Sequence, residues 1–301
     1  MRKIGEKMSR CVGDIIIGQP PYKGDWFREE TIWGKRCRNF LANIAEGYSQ
    51  SNKIILMPAY TCWDSVVRTF EDRHWKCYFY GIHTTLRIDI ENLLALTKIY
   101  TPCLILVHPY YGMELNKEEL SAFAYCVSQG ATLIKDITQG IYTERREKCF
   151  RYTTGSLRKW LPISEGAILE DNTMKYFAEI PEQIQKYNPA YDSKKRIQNF
   201  WTLFQGLKDY SNCIPAIDAN QISTPPLYFP VYANKRMYLQ EYLMKNNIIS
   251  SALWKIYDES VLLNEEVKFI YDHILALHID QRYGGKEMNT ILHYIFRYYN
   301  T

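Results

Sequence analysis

Ala131-Thr-Leu-Ile-Lys-Asp-Ile-Thr-Gln139 decides the reading of this chain. An apolar run of strand length begins after Gly130 and ends at Asp136, which predicts a strand covered on both faces with a carboxylate at its carboxyl end. In open α/β sheets ligands bind at that edge. Upstream, Asn116 and Glu119 form a capping-box pattern, Leu120, Phe123 and Val127 repeat at helical spacing, and Gly130 stands where a C-terminal cap belongs. Further out, Lys53-Ile-Ile-Leu-Met57 (stopped by Pro58), Cys77-Tyr-Phe-Tyr80 (followed by Gly81) and Cys103-Leu-Ile-Leu-Val107 (preceded by Pro102) are runs of the same kind. Asp89 opens another helical segment through Leu93, Leu94 and Leu96. Strand–helix–strand alternation with short connections predicts an α/β domain whose mostly parallel sheet is covered by helices.

Past residue 170 a long helix is expected from Ser193 to Tyr210, with Ile197, Phe200, Trp201, Phe204 and Leu207 on its packed stripe. The segment from Ile214-Pro to Pro225-Pro226 is the richest in turn residues and marks a boundary. After it come a strand (Leu227 to Tyr232), a helix (Lys235 to Asn246), another strand and a final helix from Glu287. The expected organisation is a large α/β domain, residues 1–213, and a small C-terminal α+β domain, residues 214–301.

Composition narrows the function. Of 301 residues 47% are hydrophobic, and 12 Phe, 7 Trp and 25 Tyr exclude a disordered chain. The longest apolar runs reach about five residues against the roughly 18 a membrane helix needs. Asp14 splits the apolar part of the basic N-terminus and no small-residue cleavage site follows, so the reading is cytoplasmic, with no membrane partner. A net charge of +4 from 37 basic and 33 acidic residues is too mixed for a nucleic-acid partner. The densest basic stretch, Arg145 to Lys159, is either a solvated face or a site for an anionic ligand. The eight cysteines lie too far apart for CxxC or zinc spacing; Cys103 and Cys126, in apolar runs, read as buried thiols. No HxxxH pair occurs, and no metal is expected.

The chain has no GxGxxG, no GxxxxGK[ST] and no GxSxG elbow. It does have Asp136 with Gln139, followed by Thr153-Thr-Gly-Ser-Leu-Arg-Lys159-Trp160. Pyridoxal phosphate chemistry needs residues of these types. A lysine must condense with the aldehyde, a carboxylate must keep the pyridine nitrogen protonated, and hydroxyls and amides must hold the phosphate. Lys159, Asp136, and Thr154 with Ser156 could fill those roles in turn.

Four segments extend the pattern: Ile55-Leu-Met-Pro-Ala-Tyr-Thr-Cys62, Leu106-Val-His-Pro-Tyr-Tyr-Gly112, Leu133-Ile-Lys-Asp-Ile-Thr-Gln139 and Gly155-Ser-Leu-Arg-Lys-Trp160. Through them the chain resembles the fold type I pyridoxal-phosphate enzymes, and among these the DegT/DnrJ/EryC1 sugar aminotransferases. The resemblance implies that Lys159 is the Schiff-base lysine and proton shuttle, that Asp136 pairs with the ring nitrogen, and that Gln139 lies near the 3-hydroxyl. It implies ring contacts from Tyr60, Thr61 and Cys62, with Cys62 at the position that is usually an aromatic and Tyr60 and Trp63 beside it. Phosphate contacts fall to Ser156 or Thr154, and to Gly34 and Lys35 in Trp33-Gly-Lys-Arg-Cys37, a turn bulkier and more basic than the family's Ser-Gly-Thr. The implied function is a pyridoxal 5'-phosphate-dependent aminotransferase, working as a homodimer. It would take a small-molecule amino donor and a keto-sugar or related carbonyl acceptor in polysaccharide or secondary-metabolite biosynthesis. The chain is short for the family, which implies reduced loops over a nucleotide-sugar.

Three other readings stand beside this one. A non-catalytic binding protein on the same fold is suggested by the altered phosphate turn, and a lyase, decarboxylase or acyltransferase would use the same cofactor. Ser156-x-x-Lys159 is also the nucleophile spacing of penicillin-recognising hydrolases, but these need a Lys-Thr-Gly, and Gly284-Gly-Lys286-Glu is the only imitation. Arg282 either faces an acidic substrate group or forms a surface salt bridge.

Overall fold

The computed structural model describes residues 3–7, 26–27, 31–145, 147–173, 180–222 and 224–301. Cys11 and Asp14 lie outside them. In chain order the first part holds β1 (Thr31–Gly34), α1 (Cys37–Gly47), β2 (Ile54–Pro58), α2 (Arg68–Glu71), β3 (Lys76–Tyr80), α3 (Ile90–Tyr100), β4 (Leu104–Val107), α4 (Lys117–Ser128), β5 (Thr132–Asp136), β6 (Phe150–Ser156) and β7 (Ala167–Asp171). The four expected strands are β2, β3, β4 and β5, each within a residue of its expected bounds.

These strands form one seven-stranded sheet in the order β1-β7-β6-β5-β4-β2-β3. Every pair from β3 across to β6 is parallel, while β7 runs antiparallel to both β6 and β1. Leu104, Ile105, Leu106 and Val107 are all fully buried, as expected of a strand covered on both faces. Each such side chain contributes about 1.5–3 kcal/mol through removal from water. The helices start where their caps direct. Asp89 accepts from Asn92 N at the head of α3, and the capping box of Asn116 and Glu119 opens α4. Gly130 after α4 has φ +94°, a conformation that favours glycine. One detail of α4 differs from expectation. Its buried face runs through Glu119, Ala122, Phe123 and Cys126, leaving Val127 40% exposed, because the helix is rotated to bury Glu119 against Arg87.

The second part holds α5 (Glu182–Gln185), α6 (Pro189–Leu207), β8 (Cys213–Pro215), β9 (Tyr228–Ala233), α7 (Arg236–Lys245), β10 (Ser250–Ser251), α8 (Glu265–His273), β11 (Ile274–His278) and α9 (Gly285–Tyr299). Its four strands form an antiparallel sheet in the order β10-β11-β9-β8. Phe200, Leu203 and Leu207 of α6 pack into this sheet's core with Ile291 and Ile295 of α9. The stripe of α6 is therefore not the one expected. Trp201 is 37% exposed, and the buried positions are Asp192, Arg196, Asn199, Phe200, Leu203 and Leu207. Polar residues enter the stripe because each meets polar groups inside. Asn199 Nδ2, for example, donates to the carbonyls of Ile279, Asp280 and Tyr283. No helix of the described residues is long and apolar enough to cross a membrane.

Candidate active site

The carboxyl ends of β2, β4, β5 and β6 converge on one cavity of about 70 Å³. Asp136 is the last residue of β5 and lies on this cavity with Thr138 and Gln139. Its Oδ1 accepts from Thr138 N at 2.9 Å, and its Oδ2 is 3.8 Å from His108 Nδ1. His108 follows β4, and its Nε2 is 2.8 Å from the hydroxyl of Thr61, which follows β2. Three strand ends are thus tied side by side. Burial holds the His108 imidazole below its ordinary pKa of 6.5 and outweighs the upward pull of the Asp136 charge. His108 is therefore neutral at pH 7. Among the described residues the 6%-exposed Asp136 carboxylate has no cationic side chain within 4.0 Å.

Lys159 closes the short helical turn Leu157–Lys159 that follows β6. It is solvent-exposed at the cavity, and its amine makes no hydrogen bond or ion pair among the described residues. Its charge reaches both Cys37 and His108, as does that of Asp136. Trp160 anchors the turn from below, with Nε1 donating to Thr138 O at 2.8 Å and its own carbonyl accepting from Gln281 Nε2. Gln139 is held from two sides. Its Oε1 accepts from Tyr111 N at 3.1 Å, and its carbonyl accepts from Leu227 N.

The two candidate hydroxyls separate. Thr154 is fully buried in β6, donates to Ile168 O at 2.9 Å and does not line the cavity. Ser156 lines it, and its hydroxyl is uncommitted among the described residues. Of the basic turn, Gly34 is paired in β1 and the Lys35 side chain is 75% exposed beside Glu165, both off the cavity. The wall is made instead by the next three residues, Arg36, Cys37 and Arg38, at the start of α1. That helix start has no side-chain cap and no acidic residue in its first turn, so its free amides and two guanidinium groups favour an anion. Arg158 stands near enough to Arg36 and Arg38 that burial and their charges lower its pKa. The Cys37 thiol is pushed far up by burial and the Asp136 charge and stays protonated.

Tyr60 and Thr61 sit behind the cavity wall, and Cys62 lines it. Tyr60 packs among Tyr110, Tyr271 and Trp254. Trp63 packs on Phe79. The aromatics that do reach the cavity, His108 and Trp254, were not among the expected contacts; their rings lie 5.9 Å apart at 29°. His108 was signalled by its place after an apolar run, whereas nothing in the sequence around Trp254 marks it. The basic stretch also divides. Arg145 pairs with Glu170 at 2.7 Å and is 12% exposed, Lys148 is exposed, and Arg158 and Lys159 line the cavity. Arg282 forms a buried pair, donating from Nε (2.7 Å) and Nη2 (2.8 Å) to Asp280 and from Nη2 to Glu6 O. Among the seven described cysteines all are free; Cys126 is buried and Cys103 half-buried.

No family model matches the sequence, and no curated protein matches it. Solved structures do match in fold. Helicobacter pylori PseC, an aminotransferase involved in the biosynthesis of pseudoaminic acid, is 13% identical, with 98% of this chain and 99% of that chain covered at a TM-score of 0.72. The aminotransferase TlmJ from Streptoalloteichus hindustanus is 12% identical over 97% and 95%, at 0.72. A DegT DnrJ EryC1 StrS aminotransferase from Brucella abortus is 12% identical over 90% and 86%, at 0.70. With its mostly parallel seven-stranded sheet and a second small sheet, the chain shares the fold of these three solved aminotransferases.

Proposed function

We propose that this protein is a pyridoxal-phosphate-dependent aminotransferase that passes an amino group from a small-molecule donor to a keto-sugar or related carbonyl acceptor. One observation carries the reading. A single cavity is lined by the uncommitted amine of Lys159 and by a buried carboxylate, Asp136, that lacks a cationic partner. A buried charge without a partner is costly, and a protonated pyridine nitrogen would supply the missing cation. The anion-favouring start of α1, with Arg36, Arg38 and the Ser156 hydroxyl, suits a phosphate. The residues therefore fit the cofactor.

Pyridoxal phosphate, when bound, supplies an aldehyde and a ring that accepts electrons from a substrate carbon. Lys159 would present Nζ to that aldehyde and would be the base that takes the proton from the donor's α-carbon. Asp136, oriented by Thr138 N, would keep the ring nitrogen protonated. The hydroxyl of Ser156 is the phosphate ligand on this reading, since Thr154 is already bonded. The rings of His108 and Trp254 form an aromatic wall of the cavity that limits water.

The proposal also divides the chain into a cofactor-holding unit, residues 1–213, and a smaller unit, residues 214–301, with α6 packed on the latter. It extends to a homodimer, the part that the family resemblance supports, and to a place in the cytoplasm. Single-turnover mixing tests the function. The purified protein should be yellow, lose that colour with glutamate and release one 2-oxo acid per site. A colourless protein indifferent to added pyridoxal phosphate would overturn the proposal, as would release of carbon dioxide in place of amino transfer.

A further inference from the structure

Pairing between β5 and β6 stops at the edge of the cavity. Its last register pair is Asp136 with Thr154, and beyond it the two chains turn apart. One enters the turn that holds Thr138 and Gln139, the other the turn Leu157–Lys159. Ile137 N still donates to Thr154 O at 2.8 Å, and from there Thr138 carries the contact between the two turns. Thr138 Oγ1 accepts from Ser156 N at 3.1 Å, and Thr138 O accepts from Trp160 Nε1 at 2.8 Å. Its own amide donates to Asp136 Oδ1, and its hydroxyl also acts on the thiol of Cys37, the first residue of α1. Thr138 is 8% exposed and lines the cavity with Asp136, Ser156 and Lys159.

These bonds put both ends of the Lys159 turn on one residue. Ser156 opens the turn and Trp160 follows it. Trp160 is also held from outside: the Arg196 guanidinium lies 4.4 Å from its ring centre, Tyr142 packs edge-on at 5.3 Å, and Gln281 binds its carbonyl. The Ser156 end depends on the Thr138 hydroxyl. Ser156 is only 6% exposed, so without that acceptor its amide would be a buried donor with no partner, and the backbone would have to shift to satisfy it. Such a shift moves Lys159 while Asp136, bonded to the Thr138 amide, stays in place.

We propose that Thr138 is a positioning residue whose hydroxyl sets the Lys159 amine against the Asp136 carboxylate. This deepens the aminotransferase reading and rests on it for the reaction. Thr138→Val removes the acceptor at constant shape, and Thr138→Ser keeps it. Hydrogen exchange on the full chain without added cofactor, read by mass spectrometry, should show the Ser156 amide exchanging about 10-fold faster or more in Thr138→Val, and near the wild-type rate in Thr138→Ser. Condensation of pyridoxal phosphate with Lys159, trapped by borohydride and timed by mass, should slow about 10- to 100-fold in Thr138→Val and recover in Thr138→Ser. Amino transfer at saturating donor should slow over the same range, with the half-saturating donor concentration unchanged. Trp160→Phe keeps a ring against Arg196 but loses the indole donor to Thr138 O. It should show the same pattern in condensation and transfer, which tests the proposal even where Thr138→Val fails to fold. Wild-type condensation rates in Thr138→Val and Trp160→Phe overturn the positioning role alone. So does a Thr138→Ser protein as slow as Thr138→Val, an unchanged Ser156 amide, or a loss confined to donor concentration. If Lys159 of the wild type forms no adduct at all, the aminotransferase reading falls and the positioning role falls with it.

Discussion

Gly140 follows Gln139 where the turn after β5 is pressed against the turn after β4. A Cβ built there would lie 2.6 Å from Gly112 Cα and 3.1 Å from Gly112 N. Neither turn has room to retreat. Gly112 has φ +79°, its carbonyl accepts from Thr224 Oγ1 at 2.8 Å, and its own Cα faces the backbone of Pro225 and Pro226. On the other side, Gly140 N donates to Ile137 O and Gly140 O accepts from Thr143. Relieving the contact in Gly140→Ala requires the two turns to part by about 0.8 Å, all of it backbone movement. Overpacking costs about 1–3 kcal/mol, and with no flexible side chain to yield, the upper half of that range is expected. The movement also stretches the bond from Tyr111 N to Gln139 Oε1, so amino transfer should slow by up to about 100-fold. Urea unfolding gives the stability change, and single-turnover kinetics the rate. Gly47→Ala is the control. Its Cβ meets nothing within 4 Å at the end of α1, and it should be neutral or stabilising by up to about 1 kcal/mol. A Gly140→Ala protein with the wild-type urea midpoint would refute the reasoning about the two turns.

Other expectations follow from the buried charges. Asp136→Asn should leave the fold intact and slow amino transfer by about 10²–10³-fold, since a neutral amide no longer stabilises charge on the ring nitrogen; full activity would remove Asp136 from the site. Burial would raise the Asp280 carboxyl, but the hydrogen bonds from Arg282 and His278 and the charges of Arg282 and Arg196 hold it far below the carboxylate range. Asp280→Asn should therefore cost about 3–5 kcal/mol by urea unfolding, a deficit constant from pH 5 to 8 that shrinks only in strong acid. His108 has its folded pKa below the unfolded one, so the unfolded chain binds the extra proton first as pH falls through 6.5. Its share of stability is present at pH 7 and declines towards pH 5. His108→Gln should flatten that part of the stability curve, and an unchanged slope would show that His108 is not buried neutral.

The parallel half of the large sheet was legible because its strands are continuous apolar runs bounded by Gly or Pro, and helix starts were legible where Asp89 or Asn116 caps them. β6 and β7 were not. Phe150-Arg-Tyr-Thr-Thr-Gly-Ser156 reads as polar, yet pairing on both sides buries Thr153 and Thr154 inside the sheet. The stripe of α6 was misplaced because periodicity assumes apolar cores, and this one takes in Asp192, Arg196 and Asn199. In the candidate site, residues that end strands or follow them closely (Cys62, Asp136, Gln139, Ser156, Lys159) could be placed from local order, and the cavity gathers all five. Trp254 and Arg196 arrive from elements distant in sequence, and only tertiary packing brings them to Lys159.

The central claim is that Nζ of Lys159 is the amine that condenses with pyridoxal phosphate. Reducing the cofactor-treated protein with sodium borohydride and mapping peptides by mass would test it most directly. The account predicts one phosphopyridoxyl adduct, on Lys159, and none in Lys159→Ala. An adduct on another lysine, or no adduct on a folded wild-type protein, would contradict it.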